Sequence, residues 1–162
     1  MAYEAQVIWN EILFDKVYAN VPLFIENKLP DSYKSRGHTI IDLGEEEFTV
    51  GRPHPMIDND LRIRRLIQEV NDPEVALILF DMVIGYGAHP DPASELAKAV
   101  NKARKITQEY RREIVFVASV TGTEADPQKL SRQVKSLSEA GVFVCECNAD
   151  AARLAEKVIN RI

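Results

Sequence analysis

The sequence predicts an α/β fold, a flavodoxin-like doubly wound layer of parallel strands preceded by a helical arm. Two observations predict it. From residue 39 onward, short β-branched or apolar runs alternate four times with stretches of helical periodicity. The turns after those runs carry the Gly and Pro residues, and two of them open the next helix on an Asp-Pro pair, Asp91-Pro92 and Asp126-Pro127. At 162 residues and 46% hydrophobic, the chain is long enough for one such domain with its own core.

The elements follow in order. Ala5, Val7, Ile8, Ile12 and Leu13 mark the apolar face of a first helix. The stretch 17–38, broken by Pro22 and Pro30, reads as an irregular connection with room for one short strand. Residues 1–38 are thus expected to form an arm, either the ragged start of a fragment or a segment packing on a neighbour, and residues 39–162 the domain proper. Residues 39–43 form the first strand of that domain, followed by a loop over 44–55 and a helix from about 57 to 70. On this helix Ile57, Leu61, Leu66, Ile67 and Val70 recur at helical spacing. Asp72-Pro73 turns the chain into 75–80, an unbroken apolar run of the kind buried on both faces of a sheet.

Asp91 and Pro92 then supply an N-cap and a first helical residue. Leu96, Ala97, Val100, Ala103, Ile106 and Tyr110 form the expected buried face. Residues 114–118 are the next strand, and Asp126-Pro127 the next helix start. That helix runs to 139–140 with Gly141 as its stop. Residues 142–145 are the last strand, and Asn148 is expected to cap a final helix through Val158.

Strands joined by single helices make right-handed crossovers, so the sheet should be parallel with helices on both faces. Ligands of such sheets bind beyond the carboxyl ends of the strands. Here those ends are the loops 44–55, 81–90, 119–126 and 146–147. Two of the three histidines fall there, each on a Pro-locked corner: Gly51-Arg52-Pro53-His54-Pro55 and Gly85-Tyr86-Gly87-Ala88-His89-Pro90. His54 and His89 are the candidate catalytic residues, since imidazole titrates where general acid–base chemistry needs it. The structural alternative is that each ring merely braces its own loop.

Arg52 is a candidate clamp for a carboxylate or phosphate, with a bridge to Asp58 or to Glu45, Glu46 and Glu47 as the alternative. Gly85 and Gly87 allow close approach of backbone to a ligand, or simply turn the chain. Asp81 is placed to orient His89 or to bind loop amides. Thr121, Gly122 and Thr123 offer amides and hydroxyls to an anion, against which stand the adjacent charges of Glu124 and Asp126. The run Glu45-Glu46-Glu47 is expected as a solvated loop. Cys145 and Cys147 are expected on one side of a strand. Two thiols fall short of the four ligands zinc prefers, so reduced cysteines and no metal are expected.

A net charge of −5, with basic residues spread along the helices, predicts no nucleic-acid footprint. Glu4 and Glu11 interrupt the N-terminal hydrophobics, so neither a signal peptide nor a membrane span is expected. The paucity of cysteine suits a reducing, cytoplasmic location.

The strings 51–58 and 85–92, together with Asn20-Val21-Pro22-Leu23 and residues 37–44, resemble the FdrA family, acyl-CoA-synthetase-like proteins related to the succinyl-CoA synthetase α subunit. The resemblance runs from about Glu4 to the C-terminus. It implies the C-terminal, ligase-like domain of a longer protein whose CoA-binding-like domain comes first. A Gly-Gly-Thr-Leu turn usual in the family before the first helix would lie upstream of Met1. One departure matters: the synthetase's phosphorylated histidine sits in the loop that residues 119–126 fill here, and this loop has no histidine. The resemblance therefore implies acyl or carbamoyl transfer without a phosphohistidine relay, as in FdrA proteins of allantoin and oxamate breakdown. It also implies a CoA-binding-like domain or subunit as partner and a homo-oligomer. No cofactor is expected in this chain itself, with CoA or a nucleotide entering only in the full-length protein, and the isolated chain should be inactive. The alternative is a non-catalytic subunit-interaction or dimerisation module.

Overall fold

A computed structural model describes residues 1–13 and 16–161. Among the described residues, six helices and five strands follow one another as α1 (Ala2–Ile12), β1 (Val17–Ala19), β2 (His38–Ile40), α2 (Glu46–Thr49), α3 (Asp60–Val70), β3 (Leu77–Val83), α4 (Pro92–Glu109), β4 (Val115–Thr121), α5 (Leu130–Glu139), β5 (Phe143–Cys145) and α6 (Asn148–Ile159). A single 3-10 turn, Ile25–Asn27, interrupts the connection between β1 and β2. The fold is α/β with parallel strands and helices on both faces, as a flavodoxin-like domain requires. The layer is split, however: β1 pairs parallel with β2, and β3, β4 and β5 form a separate parallel sheet in that order.

Two apolar clusters hold these layers. The larger joins α3, α4 and α5 to one face of the three-stranded sheet around Val70, Met82, Val100, Phe116 and Leu137. The smaller packs α1 and α6 against β1 and the other face of β3, with Ala5, Ile8, Trp9, Val17, Ala152 and Ala155 at its centre. Alternate residues of β3 serve the two clusters, Ile78 and Phe80 the first, Leu77 and Leu79 the second. That is the period-two geometry of a strand with helices on both sides.

Several elements differ from their sequence-based expectation, each for a local reason. In α1 the inward face is Ala5, Gln6, Ile8 and Trp9, whereas Val7 and Ile12 are exposed. Tertiary bonds set this rotation: Trp9 Nε1 donates to the Ala152 carbonyl at 2.9 Å, and Gln6 bonds both Val21 and Leu23 of the following connection. The loop 44–55 contains α2, with Glu45, Glu46 and Glu47 at its N-terminus, where the helix dipole favours negative charge. Phe48 of α2 is buried, edge-on to Tyr33.

Helix α3 begins at Asp60 rather than 57, because His54 O already accepts from Ile57 N and Asp58 N in a turn; Ile57 is left exposed. Tyr110 is exposed too, as the C-cap residue of α4, beyond which Arg111 turns away at φ 54°. Asp126 does not start α5. Its carboxylate accepts from Thr123 N and Oγ1, and the helix begins at Leu130 after Lys129 adopts φ 62°. Cys147, not Asn148, is the N-cap of α6, which puts Cys147 outside the strand that ends at Cys145. Asn148 instead donates to Met1 O and to the Glu4 carboxylate, tying α6 to α1.

Candidate functional site at the carboxyl rim

The chain direction places both His-Pro corners on one rim, at the carboxyl ends of β2 and β3. They are adjacent, since His89 N donates to Met56 O at 2.8 Å. The two corners also share an internal design. In each, ring Nδ1 accepts the backbone N–H two residues on, from Met56 N at 3.2 Å for His54 and from Asp91 N at 3.0 Å for His89. The intervening prolines, Pro55 and Pro90, have no N–H to offer, so this amide is the first one available to the ring. A neutral ring accepting at Nδ1 must carry its proton on Nε2, so Nε2–H is the remaining donor of each imidazole.

What each Nε2 faces differs. His89 is largely covered, and its Nε2 lies 3.4 Å from Glu95 Oε2 on the first turn of α4. The same carboxylate oxygen accepts from Asn59 Nδ2 at 3.1 Å. Asn59 is buried with its Oδ1 unpartnered, a polar atom left over beside the pair. His54 is exposed, and its Nε2 lies over Gly44 and Asp42: a Cβ on Gly44 would come within 2.8 Å of that nitrogen and 3.1 Å of Asp42 Oδ1. Only glycine leaves that face of the loop open. His54 also borders the cavity between the two sheets, which His89 does not. The corners are therefore joined through backbone, while the rings address different surroundings.

The other candidates fall into three groups. Gly85 is held by Gln128, whose side chain accepts from Gly85 N at 3.1 Å and donates to Gly85 O at 2.9 Å and to His89 O at 3.0 Å. Gly87, at φ 80°, turns the chain in open space beside it. Asp81 pairs with Arg62 of α3 at 3.1 Å, and the acid beside His89 is Glu95 instead. Among the described residues Arg52 makes no ion pair, neither with Asp58 nor with Glu45, Glu46 or Glu47, and it remains exposed.

Thr121 ends β4, and Gly122 and Thr123 follow it in the loop. The Thr123 amide and hydroxyl are already bonded to Asp126, at 2.6 and 3.0 Å. Glu124 likewise turns to Ser131 N and Oγ, which holds its carboxyl below the usual range. Thr121 is exposed. Gly122 packs against Ile84 so tightly that an added Cβ would lie 2.1 Å from Ile84 Cγ1.

Sequence reasoning missed Glu95, Asn59, Gln128 and Gln133. Their signal is weak, since each is one polar residue within or beside a helical run. Asp91 shows how they act. Its carboxylate accepts from Ser94 Oγ at 2.9 Å, Gln133 Nε2 at 3.1 Å and Arg132 Nη2 at 2.7 Å. Partial burial pushes its pKa up, but the bonds from Gln133 and Ser94 and the Arg132 charge outweigh this and hold it below the ordinary value. Both cysteines are free, and burial, with the nearby Asp150 and Cys147, pushes the Cys145 thiol up. Among the described residues no three metal-ligating side chains converge, and no helix is long and apolar enough to cross a membrane.

A fold of parallel strands with its polar groups gathered on the carboxyl rim defines the class, and comparison supplies the family. The family model described as CoA-ligase matches residues 1–158, so the chain belongs to the CoA-ligase family. It is also similar to the Escherichia coli (strain K12) protein described as "Uncharacterized protein YahF", at 40% identity over 143 residues. That match takes in 88% of this chain and 28% of the relative, so the chain spans less than a third of the relative's length.

Proposed function

We propose that this chain is the ligase-type part of an FdrA-like protein and contributes its rim loops to acyl or carbamoyl transfer without a phosphohistidine. The observation that carries the reading is the pair of hydrogen-bonded His-Pro corners, each with Nδ1 engaged by a backbone N–H so that Nε2–H is the ring's remaining donor. Such a group donates a hydrogen bond to a carbonyl or phosphoryl oxygen and steadies the negative charge that develops there. Glu95 Oε2 lies 3.4 Å from His89 Nε2 and fixes the orientation of that ring. Arg52, exposed and without an ionic partner among the described residues, is positioned on the same loop to meet an anionic substrate group. CoA or a nucleotide would be bound by the remaining part of the assembly, a CoA-binding-type domain or subunit.

The test is a transfer assay on the chain assembled with that CoA-binding-type partner, using acyl-CoA and carbamoyl phosphate as donors. His54→Ala and His89→Ala are each expected to lower turnover by about 100-fold, the scale of a lost hydrogen-bond donor to a developing oxyanion. Unchanged turnover in both variants overturns the reading. Arg52→Ala is expected to raise KM with kcat nearly retained, the pattern of a group that only binds.

A further inference from the structure

The two small sheets stop short of each other, and the space between them is shaped like a strand. The edge of β2 not paired to β1 and the edge of β3 not paired to β4 border one cavity of about 1110 Å³. The two edges run the same way. Ser35, just before β2, bonds Glu69 and Arg65 in the second half of α3, near the chain's entry to β3. Gly44, just after β2, lies against His54, whose corner is bonded to the one that follows β3.

Among the described residues, the facing edges at 39–43 and 77–83 leave N–H and C=O groups without ladder partners, a cost that proteins remove by pairing or covering. The walls carry apolar side chains on both faces, beside charged ones such as Arg62, Arg65, Glu69 and Asp81. Trp9 and Leu77 border the cavity from the smaller cluster, Leu66 and Phe80 from the larger, and Ile40 and Leu43 from the β2 side. This opening also explains why six of the seven residues of β3 are only half-buried, although the sequence reads as a run covered on both faces.

The geometry points to a sixth parallel strand in this gap, apolar on both faces and carried by polypeptide joined to the amino-terminal side of α1. Three observations select that occupant. Met1 and Asn148 border the cavity at the carboxyl rim, where Met1 O accepts from Asn148, so a strand running with β2 and β3 would end at the start of α1. A strand followed by α1 and then by parallel β1 is a βαβ unit, the connection that parallel sheets use. The relative named above carries far more polypeptide than the stretch matched here, so chain to build such a strand exists in the family. A strand matching the seven residues of β3 spans about 23 Å. Its alternate side chains would meet the two clusters in turn, merging two cores into one and two sheets into a single layer. This inference does not depend on the transfer chemistry proposed above, because its readouts are structural.

The experiment joins a seven-residue Val/Ile strand and a short turn to Met1 of the full 162-residue chain and follows amide hydrogen exchange. The control carries Pro at the strand's centre, which cannot donate to a ladder. Amides of residues 40–43 and 77–83 are expected to exchange at least about tenfold more slowly in the fusion than in the control. Acrylamide quenching of Trp9, the chain's single tryptophan, is expected to fall in parallel. Equal exchange and quenching in fusion and control overturn the proposal. So does protection of the same amides by dimerisation of the unfused chain, seen by sedimentation, because a second copy would then be the occupant.

Discussion

The amide of His89 and the carbonyl of Met56 are joined at 2.8 Å, a backbone bond between loops that are 33 positions apart in sequence. Through it the corner after β3 rests on the corner before α3, so neither histidine loop moves alone. Met56 is two residues from His54, whose ring in turn takes the Met56 amide. One short segment therefore registers both imidazoles, and the residues that brace it are the ones whose loss should be felt at the rim.

Gln128 is the principal brace. It is buried and bonds Gly85 N, Gly85 O and His89 O from the loop after β4. Gln128→Ala leaves one amide and two carbonyls without that partner, at an expected cost of about 1–3 kcal/mol in urea unfolding. Gln128→Glu should not rescue it. The carboxylate still accepts from Gly85 N but sets an oxygen against two carbonyls. Recovery of wild-type stability by Gln128→Glu would show that the amide group's donors do not hold this loop.

The layout of the rim was legible from element order, because an unbroken apolar run such as 75–80 and the helical periodicity from Pro92 to Tyr110 place their loops without tertiary information. Fine placement was not. Asp126-Pro127 has the form of a helix start, yet Asp126 finds a nearer partner in Thr123. Asp81 stands where an acid could orient His89, but Arg62 projects from α3 to claim it, and Glu95 on α4 takes the place beside the ring. Such choices depend on which helix face meets which strand. The split between β2 and β3 was illegible for the same reason, since a strand's sequence does not reveal what pairs with its edge.

Two glycines should respond differently to alanine. At Gly122 the new Cβ would meet Ile84, which is buried in the larger cluster and has no room to retreat. Gly122→Ala is expected to destabilise by about 1–3 kcal/mol, the scale of overpacking. Adding Ile84→Ala should relieve the clash, so the double mutant should lose less than the two single losses summed. At Gly44 the obstacle is the exposed ring of His54, which can swing away. Gly44→Ala should therefore cost at most about 0.5 kcal/mol, while the His54 imidazole signals shift in NMR. A large stability loss at Gly44 would mean the ring is fixed.

Cysteine reactivity offers a separate check. Cys147 is exposed at the start of α6, whereas Cys145 is partly buried, with Asp150 and Cys147 nearby disfavouring its thiolate. Because the thiolate is the reacting form, Cys145 should alkylate more slowly than Cys147 at pH 7.5. Its pH–rate profile should lie above the ordinary thiol midpoint near ~8.5. Equal rates at the two positions, resolved by peptide mapping, would contradict the burial of Cys145.

Asp91 sets an acid limit on the loop that holds His89. Its folded-state pKa lies below the ordinary carboxylate value: burial opposes ionisation, but bonds from Gln133 and Ser94 and the charge of Arg132 prevail. A carboxylate with a depressed folded pKa stabilises the fold fully above its unfolded value, near ~3.9. That stabilisation is lost as pH falls through the folded value. Asp91→Asn removes the charge and keeps one acceptor, so at pH 7 it should cost about 1–3 kcal/mol, the scale of hydrogen bonds to a charged group. Urea unfolding of both proteins from pH 7 to pH 3 should show the difference constant down to about pH 4 and narrowing below it. A gap that stays constant to pH 3 would mean that Asp91 stabilises this loop by shape alone and not through its charge.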